Sequence, residues 1–468
     1  GSQNKVMTPW KVFLYLSIVL LSLGVLILVF PQQGFDLFGV KIKMPTFEEI
    51  FLNKKPQYAN IDKIVSEEKV EPADAQKQTA KKDNIVSFQS SAETKQRLEK
   101  FFLEFEQAKQ RNGSIRIVHY GDSQIEGDRV SGKIRSELRK ELGGYGQGMI
   151  PIYTLSVPNG VSYTYSSNWE FYSVLKPIKG FNRYGLPLSA VKAIEDSSSA
   201  KASLSIHFHR LPQCDLKIYY SSPDRENRII ISNDQTQISD VAVAAGANLK
   251  HIVIPKEQIT NNLKLECDAG LELYGLDIST DVGVYVDNIP LRGSSGWGIR
   301  GSNPYLLGAF FRESDVDMII MQFGVNAIPQ AEDEVVEDYG FYKNEFGKQL
   351  KYLSSVAPDA VIVVIGVSDR SIRSGSNYIT NPNIFKLREA QREAALENGC
   401  VFWDLFMAMG GENSMPSWVL RETPLANKDF IHFNNKGAEL VATMFLKALS
   451  KEAESYKATN NTIKIHSN

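Results

Sequence analysis

The chain has 468 residues, 43% hydrophobic and 23% charged, which is ordinary globular composition and enough for more than one domain. Lys+Arg 52 stand against Asp+Glu 54, a formal net charge of -2. No basic field draws such a chain to nucleic acid, which is excluded as a partner.

Residues 12–30, VFLYLSIVLLSLGVLILVF, carry no charge and at helical rise are long enough to cross a hydrocarbon core of about 30 Å. Lys5 and Lys11 precede the run and Trp10 and Tyr15 lie near one end, the pattern of an anchor with a cytoplasmic N-terminus. A cleavable signal peptide has a shorter apolar core and a small-x-small site, whereas Pro31-Gln32-Gln33-Gly34-Phe35 follows here. We expect a single-pass membrane anchor over residues 1–34, with the rest of the chain outside the cytoplasm. Residues 35–90 read as a juxtamembrane segment and tether: 35–52 is still apolar, and 54–89 turns polar with almost no aromatics.

Helical spacing resumes at Ser91, with Leu98, Phe101, Phe102 and Phe105 on one face. Residues 115–120 then alternate as a strand, Gly121 permits a sharp turn, and 130–142 return to helical spacing. Ser123 sits at that strand-to-helix turn, a rigid place for a nucleophile, where N–H groups of the helix start point at whatever binds. Taken alone, Asp122-Ser123 reads first as an ordinary helix cap. The Gly-rich stretch 142–149 lacks the Lys-Ser/Thr of a phosphate loop and reads as a plain loop.

From 152 to 284 short alternating runs take over, at 161–165, 202–209, 216–220, 228–231 and 263–267, separated by Ser, Asn, Asp, Gly and Pro. That pattern predicts an all-β sandwich inserted into an α/β domain. Past it, 316–323, 360–367 and 401–405 read as buried strands, with helices near 341–354 and 384–398 and Gly399 as a stop. The alternation implies a parallel sheet with helices on both faces and ligands at the carboxyl ends of its strands. The α/β domain is thus expected over 91–151 and 285–457, the insert over 152–284, and a C-terminal tail over 458–468.

Asn326 directly follows one strand, and Asp429-Phe430-Ile431-His432 precedes the last amphipathic helix. An Asn after a strand is often a mere turn residue, and a His need not be catalytic. The ordered set is another matter. Gly121-Asp122-Ser123, Gly293, Gly324-Val325-Asn326 and Asp429-Phe430-Ile431-His432 resemble, in order, the four blocks of the SGNH (GDSL) hydrolases. Gly121-Asp122-Ser123-Gln124 with Gly127-Asp128, the run 131–135 and the Gly-Tyr-Gly-Gln-Gly loop is similar to the bacterial envelope peptidoglycan O-acetylesterases, which carry a carbohydrate-binding-module-like β insert at this place. The resemblance implies a flavodoxin-like sheet, Ser123 as nucleophile, His432 as base and Asp429 as its orienter. It also implies an oxyanion hole from the N–H groups of Ser123 and Gly293 and the amide of Asn326. Two positions depart from the pattern: Ala327 stands where many relatives are acidic, and Gln124 where a bulkier or basic residue is common.

The residue types fit that chemistry. A serine hydroxyl is a weak nucleophile until a base takes its proton, and an Asp holds the imidazole in the right tautomer. Negative charge developing on the ester carbonyl needs fixed donors. We expect a serine esterase removing O-acetyl groups from an envelope glycan such as peptidoglycan, on the periplasmic side of the bacterial inner membrane. Two alternatives are an O-acetyltransferase served by a membrane-bound O-acyltransferase, and a non-catalytic glycan-binding protein. Gln124 and Trp169 are the candidate substrate-binding residues, Trp169 because it lies beside polar Ser166-Ser167-Asn168 in an aromatic-rich stretch and is expected to be exposed near the cleft. No cofactor is expected, and no metal either: His207 and His209 share a strand face without an apparent third ligand. His119 reads as a buried structural residue and Cys400 as a core thiol. Cys214 and Cys267 both fall in the insert, where spacing alone does not establish a bond.

Overall fold

Successive residues of a strand point to opposite faces, so a strand buried on both sides is mostly apolar. Five parallel strands meet that condition in this computed structural model, which describes residues 8–30, 35–37, 40–42, 56–66, 85–156, 160–196, 201–331 and 334–466. They are β1 (Ser114–Gly121), β2 (Gly283–Pro290), β3 (Val316–Gln322), β4 (Val361–Ile365) and β5 (Val401–Trp403). Ile117, Val286, Ile320 and Val363 enter one core, under helices α2 (Ala92–Arg111), α3 (Ser131–Leu142) and α7 (Asn435–His466). Val118, Ile289, Ile319 and Ile362 enter the other, under α4 (Pro304–Glu313), α5 (Gly340–Val356) and α6 (Asn383–Glu397).

The strands lie in the order β2-β1-β3-β4-β5, all parallel. This is the flavodoxin-like order, in which consecutive connections leave β1 on opposite sides and open a crevice between the carboxyl ends of β1 and β3. Strand β2 was not distinct in the sequence because Asp287 and Asn288 interrupt its apolar run, and it starts at Gly283, ahead of the boundary expected at 285.

Between β1 and β2 the chain builds two antiparallel sheets. One runs in the order Gln237–Val243, Asn227–Asn233, Asn262–Cys267, Ala202–Phe208, Val161–Tyr165; the other in the order Gly246–Ile254, Leu216–Ser222, Glu272–Ile278, Ser189–Ala193, Trp169–Ser173. Their facing side chains, among them Leu204, Ile206 and Leu265 against Val191, Ile218 and Leu276, form a third core. The Gly-rich stretch is more than a loop, since Gly148–Pro151 pairs antiparallel with Glu272–Ile278 and hands the chain to the sandwich.

One expectation for the insert is corrected. Trp169 is only 4% exposed: it belongs to the sandwich core, and its Nε1 donates to Ser203 O at 2.9 Å, so it offers no face to a ligand. Aromatic residues fill strand-facing cores well, and polar neighbours in sequence say little about the ring itself. Cys214 and Cys267 are both free thiols, both buried.

At the N-terminus α1 (Pro9–Val29) is long and apolar enough to cross a membrane, and its side chains lie mostly exposed. Of the expected juxtamembrane segment and tether, 38–39, 43–55 and 67–84 lie outside the described residues. The described parts from 56 to 66 and from 85 to 90 dock on the α/β body instead. Ile61 is buried, Ser417 Oγ donates to Ala59 O at 2.7 Å, and Gln89 exchanges two 2.8 Å backbone hydrogen bonds with Phe402. At the other end α7 runs on through the expected tail to His466.

Candidate active site

Ser123 opens a short 3₁₀ turn, Ser123–Asp128, directly after β1. Asp122 sets up that turn: its carboxylate accepts from Gln124 N at 2.9 Å and from the Gly324 N–H, tying the β1 end to the β3 end. Burial pushes the Asp122 carboxyl up to about 7, against the pull of those two N–H groups. Beneath the turn His119 is fully buried, with Nδ1 2.9 Å from Ser131 Oγ and Nε2 3.1 Å from Gln322 Oε1. Burial pushes its imidazole down to about 3, so it stays neutral and supports the turn from below.

His432 reaches Ser123 from the loop before α7. Its Nε2 lies 2.9 Å from Ser123 Oγ and its Nδ1 2.8 Å from Asp429 Oδ2. Asp429 Oδ1 accepts from the N–H groups of Ile431 at 2.9 Å and His432 at 3.0 Å. Burial acts to raise the Asp429 carboxyl, and these hydrogen bonds with His432 and Ile431 outweigh it, leaving it below the usual carboxylate range. Between them Phe430 takes φ +57°, a conformation costly for a bulky side chain. Stacking on Tyr378, with ring centroids 3.6 Å apart, holds it there.

The donors complete the arrangement. The turn from Leu291 to Ser294 closes with Ser294 N donating to Leu291 O at 2.9 Å, and its third residue, Gly293, has φ +80°, which a side chain would strain. Leu291 N donates to Gly121 O at 2.7 Å, fixing this turn beside Ser123. Asn326 Nδ2 spends one N–H on Ser294 O at 3.1 Å and keeps a second. Gly324, at φ +139°, has no room for a Cβ, which would come within 2.8 Å of Val367 Cβ. The structure thus joins Ser123, His432 and Asp429 in one hydrogen-bonded line and ties the Gly293 turn to the end of β1 and Asn326 to that turn.

Gln124, expected to touch substrate, does not face it. It is buried, its Nε2 donates to Ile431 O at 2.8 Å, and its Oε1 accepts from Phe433 N at 3.2 Å. Arg129 works beside it, with Nη1 on Phe433 O at 2.7 Å and Nη2 on Ser123 O at 3.1 Å. These two side chains clamp the residues on either side of His432 to the Ser123 turn. Arg129 escaped the sequence reading because its partners are main-chain carbonyls, local ones and that of distant Phe433, which leave no mark in composition or spacing.

The GDSL-like Lipase/Acylhydrolase family model matches residues 265–440. The chain carries a GDSL-like acylhydrolase domain. The matched stretch holds Gly293, Asn326, Asp429 and His432, while Ser123 lies ahead of it, beyond most of the sandwich. The class of the domain is that of an esterase hydrolase. A solved peptidoglycan O-acetylesterase is similar in fold, with a TM-score of 0.59 at 17% identity over 76% of this chain and 96% of that one. Weaker likenesses join a family two carbohydrate esterase from Cellvibrio japonicus (TM-score 0.24, 10% identity, 63% of this chain, 98% of that one) and an acetyl xylan esterase (TM-score 0.26, 16% identity, 35% and 81%). No curated protein matches the acylhydrolase chain.

A pH effect follows from Asp122. An acid whose folded pKa lies above its unfolded value keeps a proton in the folded state that the unfolded chain has released, so its contribution to stability is present at low pH and lost as the pH rises from about 4 to about 7. An Asn at 122 cannot lose that proton. The melting temperature of Asp122→Asn relative to the unsubstituted chain is therefore expected to rise across that pH window; a flat difference would remove Asp122 as the titrating group.

Proposed function

We propose that this chain is a serine esterase that removes O-acetyl groups from a cell-envelope glycan, peptidoglycan being the first candidate. The observation that carries the reading is the unbroken hydrogen-bond line Ser123 Oγ, His432 Nε2, His432 Nδ1, Asp429 Oδ2 at the carboxyl ends of β1 and β3. In the proposed reaction His432 takes the Ser123 proton as Oγ attacks the acetyl carbonyl, and Asp429 steadies the resulting imidazolium. The N–H groups of Ser123 and Gly293 and the free N–H of Asn326 receive the oxyanion. The sugar oxygen leaves with the proton from His432, and water repeats the sequence to release acetate. Helix α1 would hold the body at the bacterial inner membrane on its periplasmic side.

Asn326→Ala should lower kcat on the order of a hundredfold to a thousandfold with little change in fold, the cost of one oxyanion donor. Unchanged kcat would take Asn326 out of the hole.

The glycan part of the proposal draws support from a different aromatic than Trp169. Trp297, 38% exposed, lies four residues beyond Gly293 and packs edge-on to Phe341, 69% exposed, with centroids 5.8 Å apart. The same loop is pinned beside Asn326 through Ser294 O and to Tyr342 through Ser295 O. Exposed rings at the rim suit the apolar face of a sugar. Acetate release from O-acetylated peptidoglycan is the direct assay, and Trp297→Ala should weaken it while sparing a small activated ester. No release from any acetylated glycan, with the small ester still cleaved, would discard the glycan substrate and keep the esterase.

A further inference from the structure

Away from Ser123, a crevice of about 560 Å³ opens between the α/β body and the sandwich. Arg135, Arg139 and Tyr145 line it from the body, and His209 and Arg210 from the sandwich. Its charge is lopsided on a chain that is close to neutral overall. Asp128 is the carboxylate in the lining, and Arg135 already holds both its oxygens, at 2.7 and 2.9 Å.

Arg139 is fixed by two main-chain carbonyls, with Nε on Val284 O at 2.8 Å and Nη2 on Gly146 O at 2.7 Å. Those contacts orient the guanidinium without neutralising it. Burial, and after it the neighbouring Arg135, push Arg139 down to about 10. Arg210, across the crevice, is exposed and has no ion-pair partner among the described residues. Beside apolar Ile150, Val161, Phe208 and Ile278, the lining includes Tyr145, 41% exposed, with an aromatic ring, and Gln147 with an amide. The volume lies within the roughly 300–1,000 Å³ of organic-ligand sites and exceeds what one small oxyanion fills.

The geometry points to this crevice as a binding site for an acidic glycan, a sugar carboxylate lying between Arg139 and Arg210 and a sugar ring against Tyr145. Guanidinium groups match carboxylates in shape and charge, and the aromatic face and amide match a ring and its hydroxyls. Asp128, in the lining, is the last residue of the turn that begins at Ser123, which ties the crevice to the same segment of chain as the nucleophile. The choice of a sugar chain rests on the glycan-esterase reading; the excess of cations does not.

The test titrates the full chain in detergent with an oligogalacturonate, with a neutral oligosaccharide of equal length and with inorganic phosphate, following heat of binding. The oligogalacturonate is expected to bind at least about tenfold more tightly than the other two, and Arg210→Glu to remove that margin, as loss of a charge-assisted contact requires. Arg139→Gln should act in the same direction, and both variants should cleave a small activated ester at the normal rate. Equal binding of acidic and neutral sugars, phosphate binding as tightly as the sugar acid, or an unchanged margin in both variants would each overturn the proposal. Ester turnover, measured in parallel, reports separately on the Ser123 reading.

Discussion

Replacing Ser123 with alanine is expected to lower kcat on an activated acetyl ester by about 10⁴-fold or more, with an unchanged melting temperature. The hydroxyl is the attacking atom in the proposed reaction, and its one side-chain partner among the described residues is His432, so its loss removes chemistry and little packing. His432→Ala should be nearly as damaging, because without the base the serine keeps its proton. The double variant should be scarcely worse than either single one, since the pair acts as a unit. Losses that multiply in the double variant would show that His432 serves some other purpose, and retained turnover in Ser123→Ala would end the serine-esterase proposal.

Much of this site was legible because its residues sit where local rules act. Ser123 and Asn326 follow apolar strands whose ends a one-dimensional pattern marks, and the turn at Gly293 needs a positive φ that glycine supplies. Helices expected near 341–354 and 384–398 occur as Gly340–Val356 and Asn383–Glu397. What stayed hidden depends on contacts between distant parts of the chain. Gln124 stood out as a departure from the family pattern, but its amide is spent on main-chain groups of Ile431 and Phe433, more than 300 residues away. Trp169 looked exposed because its neighbours are polar, yet successive strand residues point to opposite faces and its ring faces the sandwich core. The docking of Ile61 and Gln89 was masked by the polar composition around them, since a single buried side chain or backbone pair is enough to tie down a polar stretch.

Arg116 carries the second large expected effect, on stability. It lies in β1 and is buried, with Nε 2.8 Å from Asp287 Oδ2 of β2 and Nη1 3.0 Å from Asp277 Oδ2 of the sandwich strand Glu272–Ile278. Asp287 Oδ1 also accepts from Met149 N at 2.8 Å, so one cluster joins the parallel sheet to both chain segments that enter and leave the sandwich. Removing only the cation leaves two carboxylates buried together, which costs about 3–5 kcal/mol, whereas replacing a whole buried cluster by apolar groups can be nearly neutral. Arg116→Met is therefore expected to lower the melting temperature by roughly ten degrees. The loss should be smaller in acid, because without the guanidinium each carboxylate regains stability by taking up a proton that the unfolded chain binds less readily. Adding Asp277→Leu and Asp287→Asn to Arg116→Met should recover much of the loss. A melting temperature that falls equally at pH 5 and pH 8, or that the added substitutions lower further, would mean that Arg116 acts by packing and not by charge.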